Sequence, residues 1–124
     1  MEVLSTIPIL RIFDLTKAQE FYIDFLGFKV DWTHKFEPKS PTYMQVSRAG
    51  CLLHLSEHHG DSCPGSTVFL KVTGLEKFHE ELMAKDYAYA RPGIDARMTP
   101  WNTKSVEVTD PFGNRLRFNE YLKT

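Results

Sequence analysis

The chain contains one short pattern twice, and any fold it adopts has to accommodate both copies. A glycine, an apolar-alternating run and a glutamate close each half: Gly50-Cys51-Leu52-Leu53-His54-Leu55-Ser56-Glu57 and Gly113-Asn114-Arg115-Leu116-Arg117-Phe118-Asn119-Glu120. Near the start of each half, Leu10-Arg11-Ile12-Phe13-Asp14-Leu15-Thr16-Lys17 can be laid on Leu70-Lys71-Val72-Thr73-Gly74-Leu75-Glu76-Lys77. Self-similarity at half-chain spacing points to two copies of one supersecondary unit. With 124 residues the whole chain is one domain's worth, since domains cluster at roughly 100–150 residues. The expectation is therefore a single domain, 1–124, built of modules over about 1–60 and 64–124.

Hydrophobic periodicity supplies the elements of each module. Leu4–Ile12 reads as a strand, and Asp14 can cap a helix over Leu15–Leu26 with Leu15, Ala18, Tyr22, Phe25 and Leu26 on one stripe. Gly27 stops that helix. Strands are expected at Phe28–Phe36, Tyr43–Arg48 and Cys51–Glu57. The second half restarts at Thr67–Val72, followed by a helix near Leu75–Lys85 with Leu75, Phe78, Leu82 and Met83 inward. Strands near Ile94–Met98, Lys104–Thr109 and Arg115–Glu120 complete it. The pattern is βαβββ, twice, an α+β fold with a cupped mixed sheet.

Alternation along strands then assigns faces. Leu10, Ile12, Leu53, Leu55, Val68, Leu70, Val72, Val106, Val108, Leu116 and Phe118 should point at the helices. The opposite face should carry Ile7, Ile9, Arg11, Tyr43, Gln45, His54, Ser56, Thr67, Phe69, Ser105, Glu107, Arg115 and Arg117. A surface mixing aromatic, apolar and hydrogen-bonding groups suits a small-molecule crevice.

Composition narrows the function. Fifteen basic against 16 acidic side chains leave a formal charge of −1, which removes the basic footprint of a nucleic-acid binder. No run approaches the roughly 20 apolar residues of a membrane span, and Met1–Thr6 lacks the basic start of a secretory signal. A soluble, cytoplasmic protein is expected, with no membrane or nucleic-acid partner. Cys51, in an apolar run, and Cys63, in a loop, are too few and too far apart for a disulfide scaffold or a C-x-x-C motif, and read as reduced thiols. No nucleophile elbow or phosphate loop is present, so no catalytic residue is assigned.

Three segments carry a resemblance: Leu10-Arg11-Ile12-x-Asp14-Leu15, then Phe21-Tyr22-x-x-x-Leu26-Gly27-Phe28, then Asp110-Pro111-Phe112-Gly113-Asn114-Arg115-Leu116-Arg117-Phe118. In this order, on a doubled βαβββ frame, they resemble the glyoxalase/bleomycin-resistance/dioxygenase superfamily, the vicinal-oxygen-chelate fold. Its metal-dependent members place one ligand on the first and one on the last strand of each module. Carried over, those positions are Ile7, His54, Thr67 and Arg117. Ile has no donor atom and Arg is a permanent cation, so neither a metal centre of this type nor another cofactor is expected.

That departure resembles the bleomycin-resistance proteins, as do the Ile7-Pro8 opening strand and Pro100-Trp101-Asn102-Thr103 before the seventh strand. The resemblance implies a homodimer, often with an exchanged N-terminal strand, whose grooves stack aromatic residues on the flat rings of a drug that carries its own metal. Trp101, Trp32 and Phe36 are then candidate walls, and His54, Tyr43, Gln45, Phe69, Ser105, Glu107 and Arg117 candidate contacts. Each has a structural alternative. Trp32 can be core or interface, sharing alternating positions with Phe28, Val30, His34 and Phe36; His54 can be a hydrogen-bonded histidine without a ligand; Glu107 and Arg117 can form a buried ion pair. His58 and His59 can be a solvated loop or part of a rearranged metal site. The functions left open are drug sequestration without catalysis, a metal-dependent lyase, isomerase or dioxygenase, and binding of another small metabolite.

Overall fold

The computed structural model describes residues 1–35, 37–85, 94–95 and 103–122, the pair 94–95 by its backbone. They form two compact units, Met1–Ser66 with Pro111–Asn114, and Thr67–Asp110 with Arg115–Thr124.

In the first unit, β1 (Ile9–Arg11) leads to α1 (Leu15–Gln19) and a wider helical stretch over Glu20–Phe25, followed by β2 (Lys29–His34), β3 (Tyr43–Arg48) and β4 (Cys51–Ser56). The sheet order is β1-β4-β3-β2, with β1 parallel to β4 and the other pairs antiparallel. The second unit repeats this. Its elements are β5 (Thr67–Lys71), α2 (Leu75–Met83), β6 (Ile94–Asp95), β7 (Thr103–Thr109) and β8 (Arg115–Tyr121), in sheet order β5-β8-β7-β6. The doubled βαβββ reading is thus the observed one, in two mixed four-stranded sheets.

Most element ends differ from expectation by a residue or two, and the first strand and the first helix differ for clear physical reasons. The first strand starts at Ile9 rather than Leu4, because Pro8 has no N–H for a ladder and contributes only its carbonyl, which accepts from His54 N at 3.0 Å. The first helix is not α-helical to Leu26. Leu26 N donates to Phe21 O at 2.9 Å, a five-residue step that widens the turn. Phe21, Tyr22, Phe25 and Leu26, which this stretch carries, are all buried in the core. Gly27, at φ +77, then ends the helix as a C′ glycine. In α2, Leu75 and Leu82 are buried, but Met83 is 39% exposed, one position round the helix from the buried stripe.

The helix-facing alternation holds for Leu10, Ile12, Leu53, Leu55, Val106, Val108, Leu116 and Phe118, all buried, whereas Val68, Leu70 and Val72 are half-buried. Cys51 is half-buried and Cys63 exposed, and both are free thiols.

The two helices are capped differently at aligned positions. Asp14, in extended backbone, accepts from Lys17 N at 2.9 Å. Its counterpart Gly74 sits at φ +74 and has no side chain to cap with. Glu120 of β8 replaces it, its two oxygens accepting from Gly74 N at 3.3 Å and Leu75 N at 3.1 Å. Glu57, which matches Glu120 in the repeat, instead accepts from Thr42 N at 3.0 Å.

Candidate functional site

The sheet face away from the helix in the first unit gathers most of the sequence-predicted residues of that half. Cross-strand register lines up Ile9, His54, Gln45 and Trp32 in one row, and Arg11, Ser56, Tyr43 and His34 in the next. Trp32 lies parallel to Tyr43, with centroids 6.0 Å apart and planes at 11°. His54 meets both rings edge-on, at 5.3 Å from Trp32 and 5.2 Å from Tyr43. The Trp32 side chain is not core: it is 43% exposed.

A bulge in β2 makes this arrangement possible. Val30 pairs with Val46 and Trp32 with Gln45, leaving Asp31 as an extra residue between them. Alternation alone would put Val30, Trp32 and His34 on one face. Instead, Asp31 and Trp32 both reach the face of Gln45 and Ser47, while Val30 pairs across the other side. The shared stripe of Phe28, Val30, Trp32 and His34 expected from the sequence is therefore broken, and Phe28 is buried against Tyr22.

Hydrogen bonds link five side chains of this face in a chain with one direction. Asp31, ionised, can only accept, and its two oxygens take Gln45 Nε2–H at 3.0 Å and Ser47 O–H at 2.9 Å. These bonds hold the Asp31 carboxyl below the usual carboxylate range. Gln45 thus turns its Oε1 to His54 Nε2 at 3.0 Å, so that nitrogen carries the proton. Burial depresses the His54 pKa, favouring the neutral ring. Its Nδ1 then accepts from the Tyr43 hydroxyl at 2.7 Å. Burial first, and the charge of Asp61 second, push the Tyr43 hydroxyl above the usual phenol value. It stays a donor.

Two residues expected on the open face are otherwise employed. Ser56 is fully buried, donating to Asp61 Oδ2 at 2.6 Å and accepting from His58 N at 3.0 Å. Arg11 donates through Nη1 to the carbonyl of His58 and lies over the Phe13 ring at 4.8 Å, while its buried Nε has no hydrogen-bond partner. Asp31 and Ser47 were not among the sequence candidates. The available signal was an aspartate inside a strand-like run, a residue type strands disfavour except at irregularities.

In the second unit, register sets Phe69 beside Arg117 and Arg117 opposite Glu107. Arg117 Nε donates to Glu107 Oε1 at 2.6 Å, but both side chains are about half-exposed, so the pair is a surface one and not the buried pair expected. Phe69 is 51% exposed. Ser105 donates to the buried Asn119 at 2.6 Å. A cleft of about 410 Å³ at the start of α2 is lined by Gly74, Glu76, Lys77, Lys104, Glu120 and Tyr121. Three of its charged groups are already engaged, Lys104 with Glu76 at 2.5 Å and Glu120 with the helix N–H groups. Phe36 and Trp101, the other two candidate walls, lie outside the described residues.

A family model described as a glyoxalase superfamily protein matches residues 1–124. The chain belongs to the glyoxalase superfamily. Within that superfamily's fold it is similar to a bleomycin-binding protein of the bleomycin producer Streptomyces verticillus, solved with copper(II)-bleomycin, at 25% identity over 99% of each chain with a TM-score of 0.69. A bleomycin resistance determinant encoded on a transposon matches at 18% identity over 98% of this chain and 100% of that one, TM-score 0.70. An antibiotic-binding protein from a Streptomyces species matches at 20% identity over the same shares, TM-score 0.70. No curated protein sequence gave a match.

The positions that the resemblance marks for metal in this glyoxalase-superfamily chain do not make a donor set. Ile7 has no donor, Arg117 is a cation bonded to Glu107, Thr67 offers a neutral hydroxyl, and both His54 nitrogens are engaged by Tyr43 and Gln45. A divalent ion does not fit them. His58 is half-buried and His59 exposed, and among the described residues no three His, Cys, Asp or Glu side chains are placed to share a metal. Also among the described residues, no helix is long and apolar enough to cross a membrane.

Proposed function

We propose that this chain binds and sequesters a small antibiotic of the bleomycin type, without catalysis, as a cytoplasmic homodimer. The observation that carries this reading is the half-exposed Trp32 ring, stacked on Tyr43 and flanked by His54, over a sheet face whose polar groups are already hydrogen-bonded to each other. An aromatic floor held in place before a ligand arrives favours stacking of flat heterocycles, because little side-chain freedom is lost on binding. The likeness to the copper(II)-bleomycin-bound protein supports the same ligand class.

Trp101 and Phe36 are proposed as further walls, His54 and Phe69 as ring contacts, and Tyr43, Gln45, Ser105, Glu107 and Arg117 as contacts with the ligand's polar periphery. Dimerisation is supported by apolar groups left open: Val30 and Trp32 on the outer strand β2, and Met1, Val3 and Leu4 ahead of β1, are all exposed. The two free thiols suit a reducing compartment.

Titration calorimetry with metal-free and copper-loaded bleomycin tests the reading. Saturable heat at about one drug per subunit is expected, weakened roughly tenfold by Trp32→Ala, as removal of one stacked ring would do. The absence of heat with both forms of the drug would discard it. Light scattering behind a sizing column reads the oligomer, for which twice the 14.3 kDa chain mass is expected.

A further inference from the structure

The chain of bonds from Asp31 to Tyr43 decides which hydrogen-bonding groups this face has left to offer. Tyr43 spends its only proton on His54 and keeps acceptor lone pairs. Ser47 spends its proton on Asp31 and likewise keeps acceptors. Asp31 takes two bonds and has lone pairs free. His54 has nothing left, and Gln45 keeps one N–H and one lone pair. Acceptors therefore predominate beside the exposed Trp32 ring. The cations of this face are at its borders: Lys29 is opposite Ser47, and Arg11 is bonded to the His58 carbonyl.

We propose that Asp31 is a positioning residue which, through Gln45 and His54, commits the Tyr43 hydroxyl inward and makes this face select planar rings that present N–H donors. The proposal rests on the reading of this face as the ligand site, and it names the class of ligand group that site prefers. Asp31 acts at a distance. Without it, Gln45 can turn either end of its amide to His54, the imidazole can move its proton to Nδ1, and Tyr43 can then accept from His54 and point its own proton at the ligand. The bulge is what makes this coupling local, since it places the anion and the stacking ring on consecutive residues of one face.

The test has a spectroscopic arm and a binding arm. Long-range ¹H–¹⁵N spectra of the histidine-labelled protein should show His54 protonated on Nε2 alone, and Tyr43→Phe should shift its Nδ1 resonance. A proton on Nδ1, or an Nδ1 signal indifferent to Tyr43→Phe, overturns the direction of the relay. For binding, indole and benzofuran are neutral rings of one shape, the first an N–H donor and the second not. Chemical-shift titration should give indole about fivefold the affinity of benzofuran, as expected of one net hydrogen bond. Asp31→Ala should bring the ratio near one, and Asp31→Asn, which keeps an oxygen for Gln45, should restore it. Equal affinities in the parent protein, an unchanged ratio in Asp31→Ala, or failure of both rings to bind each overturn the inference. A donor preference with no response to bleomycin upholds it and removes the proposed drug, whereas bleomycin binding without a donor preference removes the inference alone.

Discussion

The two modules of this chain share an element order and a sheet order, yet they use the face away from their helices differently. In the first, Trp32, Tyr43, His54, Gln45, Asp31 and Ser47 form one stacked and hydrogen-bonded group. In the second, the corresponding strands carry an exposed Phe69 and a surface ion pair, Glu107 to Arg117. The repeated residues His54 and Arg117 stand at matching places and have parted in chemistry, one a neutral ring inside a relay and the other a cation paired on the surface. The backbone plan is repeated, and the side chains differ where the plan does not depend on them.

The helix starts show the same freedom with a compensation. Losing the cap at the position of Asp14 in the second module is balanced by Glu120, whose repeat partner Glu57 holds a loop N–H instead. One glutamate position thus serves two structural tasks, depending on what its module lacks.

These contrasts can be broken or sharpened by mutation, with stability read by urea denaturation. The first helix buries four large side chains across its widened turn, so Phe21→Ala should cost about 3–5 kcal/mol, clearly more than Phe78→Ala at the half-buried site in α2. Similar losses at both sites would deny the asymmetry. Next come the caps, where Asp14→Ala and Glu120→Ala should each cost about 1 kcal/mol. Gly74→Asp should not rescue Glu120→Ala, because an aspartate there would have to adopt a left-handed backbone in place of the extended one of a capping residue. Rescue would show that backbone shape does not separate the two starts.

A smaller effect is expected from acid. The His54 pKa is depressed in the folded protein, so the unfolded chain takes up the proton first as pH falls. The stability due to the neutral ring is complete above about pH 6.5, the ordinary histidine value, and is lost on acidification from there down through the depressed folded value. His54→Phe should therefore lose less stability than the parent between neutral and mildly acid pH; equal slopes would contradict the relay. Smallest is the surface pair of the second module, where Glu107→Gln should change stability by no more than about 0.5 kcal/mol.

Much of the fold was legible in the residues, and for identifiable reasons. Period-two runs such as Tyr43–Arg48 matched their strand residue for residue, and Gly27 and Asp14 marked helix ends through chemistry that is local to them. The wide helical turn was not legible, because it depends on how Phe21, Tyr22 and Phe25 crowd into one core, which no window of sequence contains. The same holds for the site. Tyr43, Gln45 and His54 could be assigned to one face by alternation. Asp31 and Ser47 could not, since a bulge breaks the counting rule on which that assignment rests.

The bulge has one more consequence. In a regular strand, two side chains meant for one ligand are at least two residues apart, and each must find its own orientation. Asp31 and Trp32 are instead joined by a single peptide bond and point the same way. Their mutual spacing is settled when the protein folds. Closing the bulge by deleting the neighbouring Val30 would leave both side chains in the chain, yet it would turn the anion and the ring to opposite sides of the sheet. The recognition surface of the first module is, in this sense, written as a count of residues as much as a choice of them.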